Sequence, residues 1–234
     1  MGEETIIKLK KRIKELEKLA RSQETEIREL SALSDRDILT ELYNRRGFVR
    51  EAEKFLKEAG TLRKITEKRL ISFKDFSVIF IDLDNFKIIN NEYGHKAGDK
   101  ALKMTAEILK YSVRDSDIVA RWGGDEFVIG LAGADESRAF KTAEKLRKKL
   151  RTLKIDDKKL TASFGIVSYH QKGIANRFSP ESSKKYENKE KILGQLYELI
   201  EKADMTMYEA KKKKGKSSIV IYNNKSRLTI NFLR

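Results

Sequence analysis

Carboxylates gather at two places in the chain where they could hold a divalent metal ion. A run of β-branched and aromatic residues ends in Asp82, Leu83 and Asp84, and a second acidic pair, Asp125 and Glu126, follows two consecutive glycines. Side chains alternate along a strand, so Asp82 and Asp84 share a face if both are extended. Hard cations bind clusters of carboxylate oxygens. An acidic turn is by itself more often a surface feature than a metal site, so both interpretations stay open.

Composition narrows the chemistry that these residues could perform. The 234 residues include no Cys and two His, which excludes disulfides and thiolate sites and leaves little for a His-rich zinc site. A metal would therefore be held mainly by carboxylates, as Mg²⁺ or Mn²⁺ is. The net charge of +15 suits nucleic acid, an anionic membrane or a small polyphosphate equally well. We see no signal peptide and no long apolar stretch, and expect a cytoplasmic protein.

The N-terminal segment has the heptad spacing of a coiled coil. Its apolar seam follows intervals of three and four: Ile6, Leu9, Ile13, Leu16, Ala20, Gln23, Ile27 and Leu30. Alternating Ile and Leu at the two seam positions favours a parallel two-stranded coiled coil, so residues 1–33 are predicted to form a dimerisation helix of a homodimer. The alternative is an amphipathic helix that lies on its own domain.

Residues 34–234 alternate helical and strand periodicity and predict one α+β catalytic domain. Helices are expected over 46–59, 100–112, 136–150 and 192–212, and strands over 76–83, 118–122, 127–132, 160–169 and 218–222. The strands on either side of Gly123 and Gly124 should form a hairpin in the middle of the sheet. The polar stretches 60–74 and 170–191 are interpreted as irregular surface loops.

Five sequence blocks, in this order, resemble the GGDEF family of diguanylate cyclases. They are DILTELYNRR from Asp37, DLDNFKIINNEYGHKAGD from Asp82, RWGGDEF from Arg121, LTASFGI from Leu160 and ADMTMYEAK from Ala203. The first departs from the family pattern because Glu41 replaces a glycine. The resemblance covers residues 34–223. It implies a fold like the palm of nucleotide polymerases and class III cyclases, with a central antiparallel sheet flanked by helices.

The same resemblance implies the reaction. Two GTP molecules, one on each subunit of a dimer, would be condensed into cyclic di-GMP with release of two pyrophosphates. Asp82, the Leu83 carbonyl and Asp125 would hold Mg²⁺ or Mn²⁺, with Glu126 as a further ligand or ribose contact. By the same resemblance Asp125 would be the proton acceptor, and Glu126 and Lys87 would complete the catalytic group.

Guanine recognition is implied for the second block. Asn90 and Asp99 match the family's guanine contacts, and a carboxylate that accepts the N1 and N2 protons would select guanine over adenine. His95 would be a further substrate contact. Without the resemblance, Asn90 would be interpreted as a helix cap, Asp99 as a turn or N-cap residue and His95 as structural.

Gly123 and Gly124 let the backbone turn sharply and approach a phosphate closely. The resemblance assigns further contacts with the GTP phosphates to Phe86, Lys87, Lys211 and Lys216. The last two come from a segment that departs from the family, since AKKKKGKSS has one extra residue and Lys216 in place of an arginine. Lysine supplies charge but no bidentate fork. The alternative for this lysine run is a solvated helix end.

An RxxD pattern, Arg114 to Asp117, stands five residues before the glycine pair. By the resemblance it is an allosteric site where the product cyclic di-GMP binds and inhibits; by itself the pattern is usually a surface ion pair. The sequence has two alternative interpretations: a receptor that only binds cyclic di-GMP, and a basic protein that binds nucleic acid. The intact metal and guanine residues argue against the first. The lack of a recognised nucleic-acid motif argues against the second, and neither nucleic-acid binding nor membrane insertion is expected.

Overall fold

The structure, a computed structural model, describes residues 10–21, 23, 35–58, 63–66, 69–71, 75–170, 183–213, 217–222 and 229–231. The chain divides into two compact units, Met1–Arg36 and Asp37–Arg234. No helix among these residues has the length and apolar character needed to span a membrane.

The first unit contains helix α1, residues 10–21. Two of the predicted seam residues, Ile13 and Leu16, are 55% and 49% exposed, as an apolar seam without a partner helix would be. Other seam positions, Ile6, Leu9, Ile27 and Leu30, lie outside the described residues. The coiled coil and its boundary at residue 33 therefore stay predictions.

The second unit is built from helices and strands in alternation. Its helices are α2 (Arg45–Glu58), α3 (Phe86–Tyr93), α4 (His95–Lys110), α5 (Glu136–Leu150) and α6 (Ser183–Lys211). Its strands are β1 (Arg63–Thr66), β2 (Arg69–Ile71), β3 (Asp75–Asp84), β4 (Ile118–Gly123), β5 (Glu126–Ala132), β6 (Lys154–Ile155), β7 (Lys158–Lys159), β8 (Thr161–His170), β9 (Ile219–Ile221) and β10 (Thr229–Asn231).

One sheet contains the strands β10, β9, β8, β3, β5 and β4 in that order. Its neighbouring strands are antiparallel except β8 and β9, which run parallel with Phe164 beside Ile219. Helix α6 carries the chain back between these two strands, so both begin at the same end of the sheet. The predicted α+β class is confirmed, but the prediction of a fully antiparallel sheet was wrong at this pair, because the connection is a helical crossover.

Strand β3 is the centre of two hydrophobic cores. Every residue after its first is buried, and its side chains alternate between the two faces of the sheet. Ile79, Ile81 and Leu83 pack in a core with residues of α4 and α5, whereas Val78 and Phe80 pack in another with residues of α2 and α6. The helical layers on both faces thus fix the strand that ends at Asp82 and Asp84.

The β4–β5 hairpin forms as predicted, but β4 lies at the edge of the sheet and not in its middle. The segment before α2 covers this edge through one short parallel bridge. The Tyr43 amide donates to the Val119 carbonyl at 3.2 Å, and the Arg121 amide donates to the Tyr43 carbonyl at 2.8 Å. The segment before α2 therefore covers the edge of β4, where a further strand of the sheet was predicted.

The two predicted loops contain regular structure. In 60–74 the described residues form the antiparallel pair β1–β2. In 170–191, His170 ends β8 and α6 begins at Ser183, because a run rich in Lys and Glu favours helix even without an apolar stripe. Helix α3 was missed, since Ile89 is its one buried side chain and the periodic signal is weak.

Helix α6 lies directly on β8 at Gly165. A Cβ at this position would be 2.2 Å from the carbonyl oxygen of Ala203 and 2.2 Å from the amide nitrogen of Met207. These are backbone atoms of the helix, so no rotamer change can make room. Only glycine permits this approach, which brings the end of α6 to the end of β3.

Replacing Gly165 with alanine should push α6 away from the sheet and lower the free energy of unfolding by about 3 kcal/mol. The measurement is chemical denaturation of the variant and the parent. Gly194→Ala, also in α6 but with no atom within 4 Å of its Cβ position, is the control. It should be neutral or stabilising by up to about 1 kcal/mol. Equal destabilisation by both substitutions would contradict the contact argument.

Candidate active site

The register of β3 and β5 brings the predicted carboxylates together. Asp82 stands directly opposite Glu126, and opposed side chains of an antiparallel pair lie on the same face about 5 Å apart. The Leu83 amide donates to the backbone carbonyl of Asp125 at 3.2 Å. The end of β3 and the turn of the hairpin therefore form one acidic site.

The turn between β4 and β5 depends on Gly124. Its φ is +50°, in the left-handed region that favours glycine, and no heavy atom lies within 4 Å of a Cβ position on Gly123 or Gly124. The outer face of this turn is therefore open, which leaves the backbone accessible to a bound group.

Hydrogen bonds among Asp37, Arg121 and Gly124, together called the turn clasp, hold the turn between β4 and β5. The Arg121 Nε and Nη2 atoms donate to the Gly124 carbonyl at 3.0 and 2.9 Å, and its Nη1 lies 3.2 Å from both Asp37 carboxylate oxygens. The same carboxylate accepts from the amide and hydroxyl of Thr40 at 2.9 and 2.7 Å. These contacts explain two residues of the sequence blocks that had no assigned role.

The Asp37 carboxylate is stabilised in its charged form. Burial acts to raise its pKa, but the hydrogen bonds from Thr40 and the guanidinium of Arg121 outweigh burial and hold the pKa below its ordinary value of 3.8. The clasp is therefore strongest when Asp37 is ionised.

Glu41, which replaces a family glycine, has a φ of +59°. This left-handed conformation costs a residue with a side chain roughly 1 kcal/mol. The Glu41 amide donates to the Asp37 carbonyl at 2.8 Å, so the strained residue closes the same loop that carries the clasp. The departure from the family pattern thus keeps the backbone turn and adds strain.

Lys211, the last residue of α6, is the partner of Asp82. Its Nζ lies 2.7 Å from each of the Asp82 carboxylate oxygens. Burial raises the pKa of Asp82, and Asp125 and Asp84 raise it further against the opposing effect of Lys211. The predicted phosphate-binding lysine therefore contacts a predicted metal ligand directly.

Asp204 belongs to the site although it was not among the predicted residues. Burial raises the pKa of Glu126, and the charge of Asp204 is the strongest of three carboxylate neighbours that raise it further. Asp204 precedes Lys211 by seven residues, which places both on one face of α6. That spacing inside the ADMTMYEAK block is the signal that could have identified it.

The donor set fits a hard divalent cation. Asp82, Asp125 and Glu126 offer only carboxylate oxygens. Burial first, and then the charges of neighbouring carboxylates, raise the pKa values of Asp82 and Glu126, and positive charge at the site opposes both effects. Within the described part of the chain, no three acidic or His side chains converge closely enough to hold a metal together. The Lys211 ammonium supplies the positive charge at Asp82.

Asp84 has a structural role and is not free to act beside Asp82. Its carboxylate accepts from the hydroxyls of Thr161 and Ser163 at 2.7 and 2.8 Å and from the amide of Ser217 at 2.9 Å. It therefore ties β3 to β8 and to the segment before β9. Two hydroxyl residues spaced two apart in the LTASFGI block were the signal for this pairing.

The predicted guanine-binding residues lie on α3 and α4. Asn90 is the fifth residue of α3 and Asp99 the fifth of α4, so neither caps a helix as the alternative interpretation suggested. The Asn90 carboxamide lies against Gly98, the residue before Asp99. His95 begins α4 and is exposed. Asp99 thus follows the residue that contacts Asn90, and the roles of Asn90, His95 and Asp99 in guanine binding stay predictions.

The N-terminus of α3 carries two of the predicted phosphate contacts. Phe86 and Lys87 are its first two residues, and Asn85 before them has a φ of +61° and no side-chain cap. The first amides of a helix have no partner within it, so such an end attracts anions. Lys87 is exposed, and Lys216 lies outside the described residues.

Arg114 and Asp117 lie at the other end of β4 from the glycine turn, about 20 Å away along the strand. The Asp117 carboxylate accepts from the backbone amides of Arg114 and Ala132 at 3.0 and 3.2 Å. Burial raises its pKa despite these bonds. Asp117 therefore stabilises the local turn, while the Arg114 residue is exposed.

Comparison with known proteins gives consistent matches. A family model described as "Diguanylate cyclase, GGDEF domain" matches residues 34–180. Diguanylate cyclase A of Treponema denticola is 35% identical over 152 residues, which cover 63% of this chain and 35% of that protein. The chain spans about a third of that relative's length.

Solved structures share the fold. The coiled coil and GGDEF domain of DgcB from Caulobacter crescentus, in complex with c-di-GMP, matches with a TM-score of 0.60 at 21% identity over 91% of this chain and 98% of that one. The GGDEF domain of YfiN from Pseudomonas aeruginosa matches with a TM-score of 0.58 at 29% identity, over 78% and 97%.

Arg121→Ala should lower the free energy of unfolding by about 2 kcal/mol near neutral pH. The variant loses the charged hydrogen bonds that Arg121 donates to the Asp37 carboxylate and to the Gly124 carbonyl. Because the pKa of Asp37 is lowered in the folded protein, its contribution to stability is complete above pH 3.8. That contribution is lost as the pH falls through the folded-state pKa of Asp37. The difference between variant and parent should therefore narrow below pH 3.8.

Denaturant titrations from about pH 7 to about pH 3 measure this difference. Lys54→Ala, which removes an exposed ion pair with Glu51, is the control and should change stability by less than about 0.5 kcal/mol. A difference for Arg121→Ala that stays constant over the whole range would contradict a role for ionised Asp37.

Proposed function

The chain belongs to the GGDEF family of diguanylate cyclases, and on that premise we propose that it condenses two GTP molecules into cyclic di-GMP and two pyrophosphates. The observation that carries the proposal is the acidic site at the end of β3, where Asp82, Glu126 and the Asp125 turn lie beside the Lys211 ammonium. Nucleotidyl transfer requires carboxylates that bind a metal ion and, beside them, a positively charged side chain that binds phosphates.

Asp82, Asp125, Glu126 and the Leu83 carbonyl are the residues that would hold Mg²⁺ or Mn²⁺. When bound, the metal supplies the charge that activates the ribose hydroxyl and stabilises the leaving pyrophosphate. The raised pKa values of Asp82 and Glu126 support this assignment, since a cation there would lower the cost of keeping both carboxylates ionised.

Guanine would be bound between α3 and α4. The Asp99 carboxylate accepts the N1 and N2 protons of the base, and the Asn90 carboxamide and His95 make further contacts. Adenine lacks both of these donors, so ATP would leave the Asp99 carboxylate unpaired and be rejected. The exposed position of Asp99 and its place next to Gly98, which lies against the Asn90 carboxamide, support the assignment.

The triphosphate would extend from there to the acidic site. The free amides of Phe86 and Lys87 and the Lys87 side chain contact the terminal phosphates, and the open backbone of Gly123 and Gly124 allows a close approach. Lys211 contributes a further positive charge, and we extend this role to Lys216.

The chemical step joins two GTP molecules, one bound to each chain. The 3′-oxygen of one GTP attacks the α-phosphorus of the other, its proton passes to Asp125, and the bond between the α-phosphorus and the bridging oxygen to the β-phosphate breaks. Two such steps form both phosphodiester bonds and release two pyrophosphates. Each chain presents one GTP, so the active species is a homodimer, and the exposed Ile13 and Leu16 of α1 support a coiled-coil contact.

Feedback inhibition is a further part of the proposal. Arg114 would clamp a phosphate or guanine edge of cyclic di-GMP, and Asp117 would accept from guanine. The exposure of Arg114 and its distance from the acidic site support an allosteric position.

Protein stripped of nucleotide and incubated with GTP and Mg²⁺ should release cyclic di-GMP and pyrophosphate, which chromatography resolves. Asp125→Ala should abolish the product, since it removes a metal ligand and the proton acceptor, and a chelator should do the same to the parent. Asp157→Ala, an exposed residue of the β6–β7 turn, is the matched control and should keep parental activity. Specific activity should fall on dilution because two chains are required.

Nucleotide binding without product, with Mg²⁺ and with Mn²⁺, would contradict the cyclase and favour a receptor. A specific activity independent of protein concentration would contradict the dimer.

Arg114→Ala should relieve inhibition by added cyclic di-GMP and leave the initial rate unchanged, because the residue is remote from the acidic site. Initial rates are measured against increasing product, with Lys54→Ala as a control that removes a positive charge elsewhere. Arg114 is preferred to Asp117 for this test, since replacing Asp117 also breaks two backbone contacts. Unchanged inhibition of Arg114→Ala would rule out the assignment.

A further inference from the structure

Gly98 is the fourth residue of α4, at a place where the backbone gives no reason for glycine. It is buried, it lies inside a helix, and it is not among the glycines with positive φ, which are Gly94, Gly124 and Gly133. Glycine is less favourable than alanine inside a helix. The reason for glycine must therefore lie in what surrounds it.

The space that a side chain would need is occupied by Asn90. A Cβ on Gly98 would lie 1.9 Å from the Asn90 Oδ1 and 2.9 Å from its Cγ, with the Phe86 Cζ at 3.2 Å. The nearest three atoms all belong to side chains, and none is backbone. An alanine could be accommodated only if the Asn90 carboxamide turned away.

Packing alone holds that carboxamide in place. The Asn90 side chain makes no hydrogen bond with any described residue, and its backbone carbonyl accepts from the amide of Gly94, the residue that caps α3, at 2.9 Å. Its amide oxygen and nitrogen are both left for a ligand. The open space at Gly98, which the Phe86 ring also borders, determines the direction in which they point.

We propose that Gly98 is a positioning residue for nucleotide binding: its missing side chain makes the room in which the Asn90 carboxamide is held ready for the guanine base. The inference rests on the proposed function, because it takes Asn90 as a guanine contact. Gly98 itself need not touch the nucleotide, and it acts through the orientation of Asn90.

This role has a signature that a merely structural glycine would not produce. Alanine at position 98 favours the helix, and the group that it displaces is the end of a short side chain, so Gly98→Ala should keep or raise the melting temperature. The same variant should bind GTP about tenfold more weakly, since the hydrogen bonds of a displaced Asn90 are lost. In turnover, the loss should appear in KM and leave kcat nearly unchanged.

A double-mutant cycle tests the proposal. Calorimetry with a non-hydrolysable GTP analogue and Mg²⁺ compares the parent, Gly98→Ala, Asn90→Ala and the double variant, with melting temperatures recorded for all four. Gly194→Ala, a helical glycine with open space at its Cβ position, is the control and should bind as the parent does. The two single variants should lose affinity to a similar degree, and the double variant should lose no more than Asn90→Ala alone.

The outcomes separate this inference from the function on which it rests. Parental affinity of Gly98→Ala, together with weakened binding by Asn90→Ala, overturns the inference and leaves the guanine assignment intact. Parental affinity of Asn90→Ala overturns both. If Gly98→Ala fails to fold, the double variant should fold, because it lacks the carboxamide that clashes; failure of both to fold overturns the steric argument.

Discussion

Strand β3 brings two carboxylates into the interior of the domain, where an ionised group must be paired or hydrogen-bonded. Asp84 obtains its partners from Thr161, Ser163 and the Ser217 amide, and Asp82 obtains its partner from Lys211. These partners come from β8, from the segment before β9 and from the end of α6. Satisfying two charges thus fastens three separate parts of the chain to one strand end.

The position of α6 determines whether this arrangement is possible. Gly165 allows the helix backbone to lie directly on β8, and the helix then runs past the hairpin with Asp204 near Glu126 and Lys211 at Asp82. On the opposite side, the turn clasp fixes the Gly124 carbonyl through Arg121. The acidic site is therefore held from two directions by groups that lie outside the carboxylate cluster.

Local pattern predicted the strands and the longer helices because burial on both faces of β3 and along α5 leaves a clear periodicity in the sequence. The strand end and the glycine turn indicated the acidic residues, but their roles and that of Lys211 were assigned only through the block resemblance. The parallel β8–β9 pair, the edge position of β4 and helix α3 were not predicted, since strand order depends on crossovers and α3 buries little.

The contacts of Gly98 and Gly165 are made between separate elements, and no local sequence pattern specifies them. Glu41 shows the converse: its substitution was visible in the sequence, but only its φ of +59° explains why a glycine suits that position.

The placement of β3 between β5 and β8 also has a consequence for folding order. Ile79 pairs with Ile129 on one side and with Ile166 on the other, so the central strand is completed only when segments far apart in sequence have met. Such non-local pairing slows folding and makes it cooperative, since the entropy of closing long loops precedes the gain from contacts. The acidic site therefore has no stable local precursor, and it assembles and disappears together with the whole sheet.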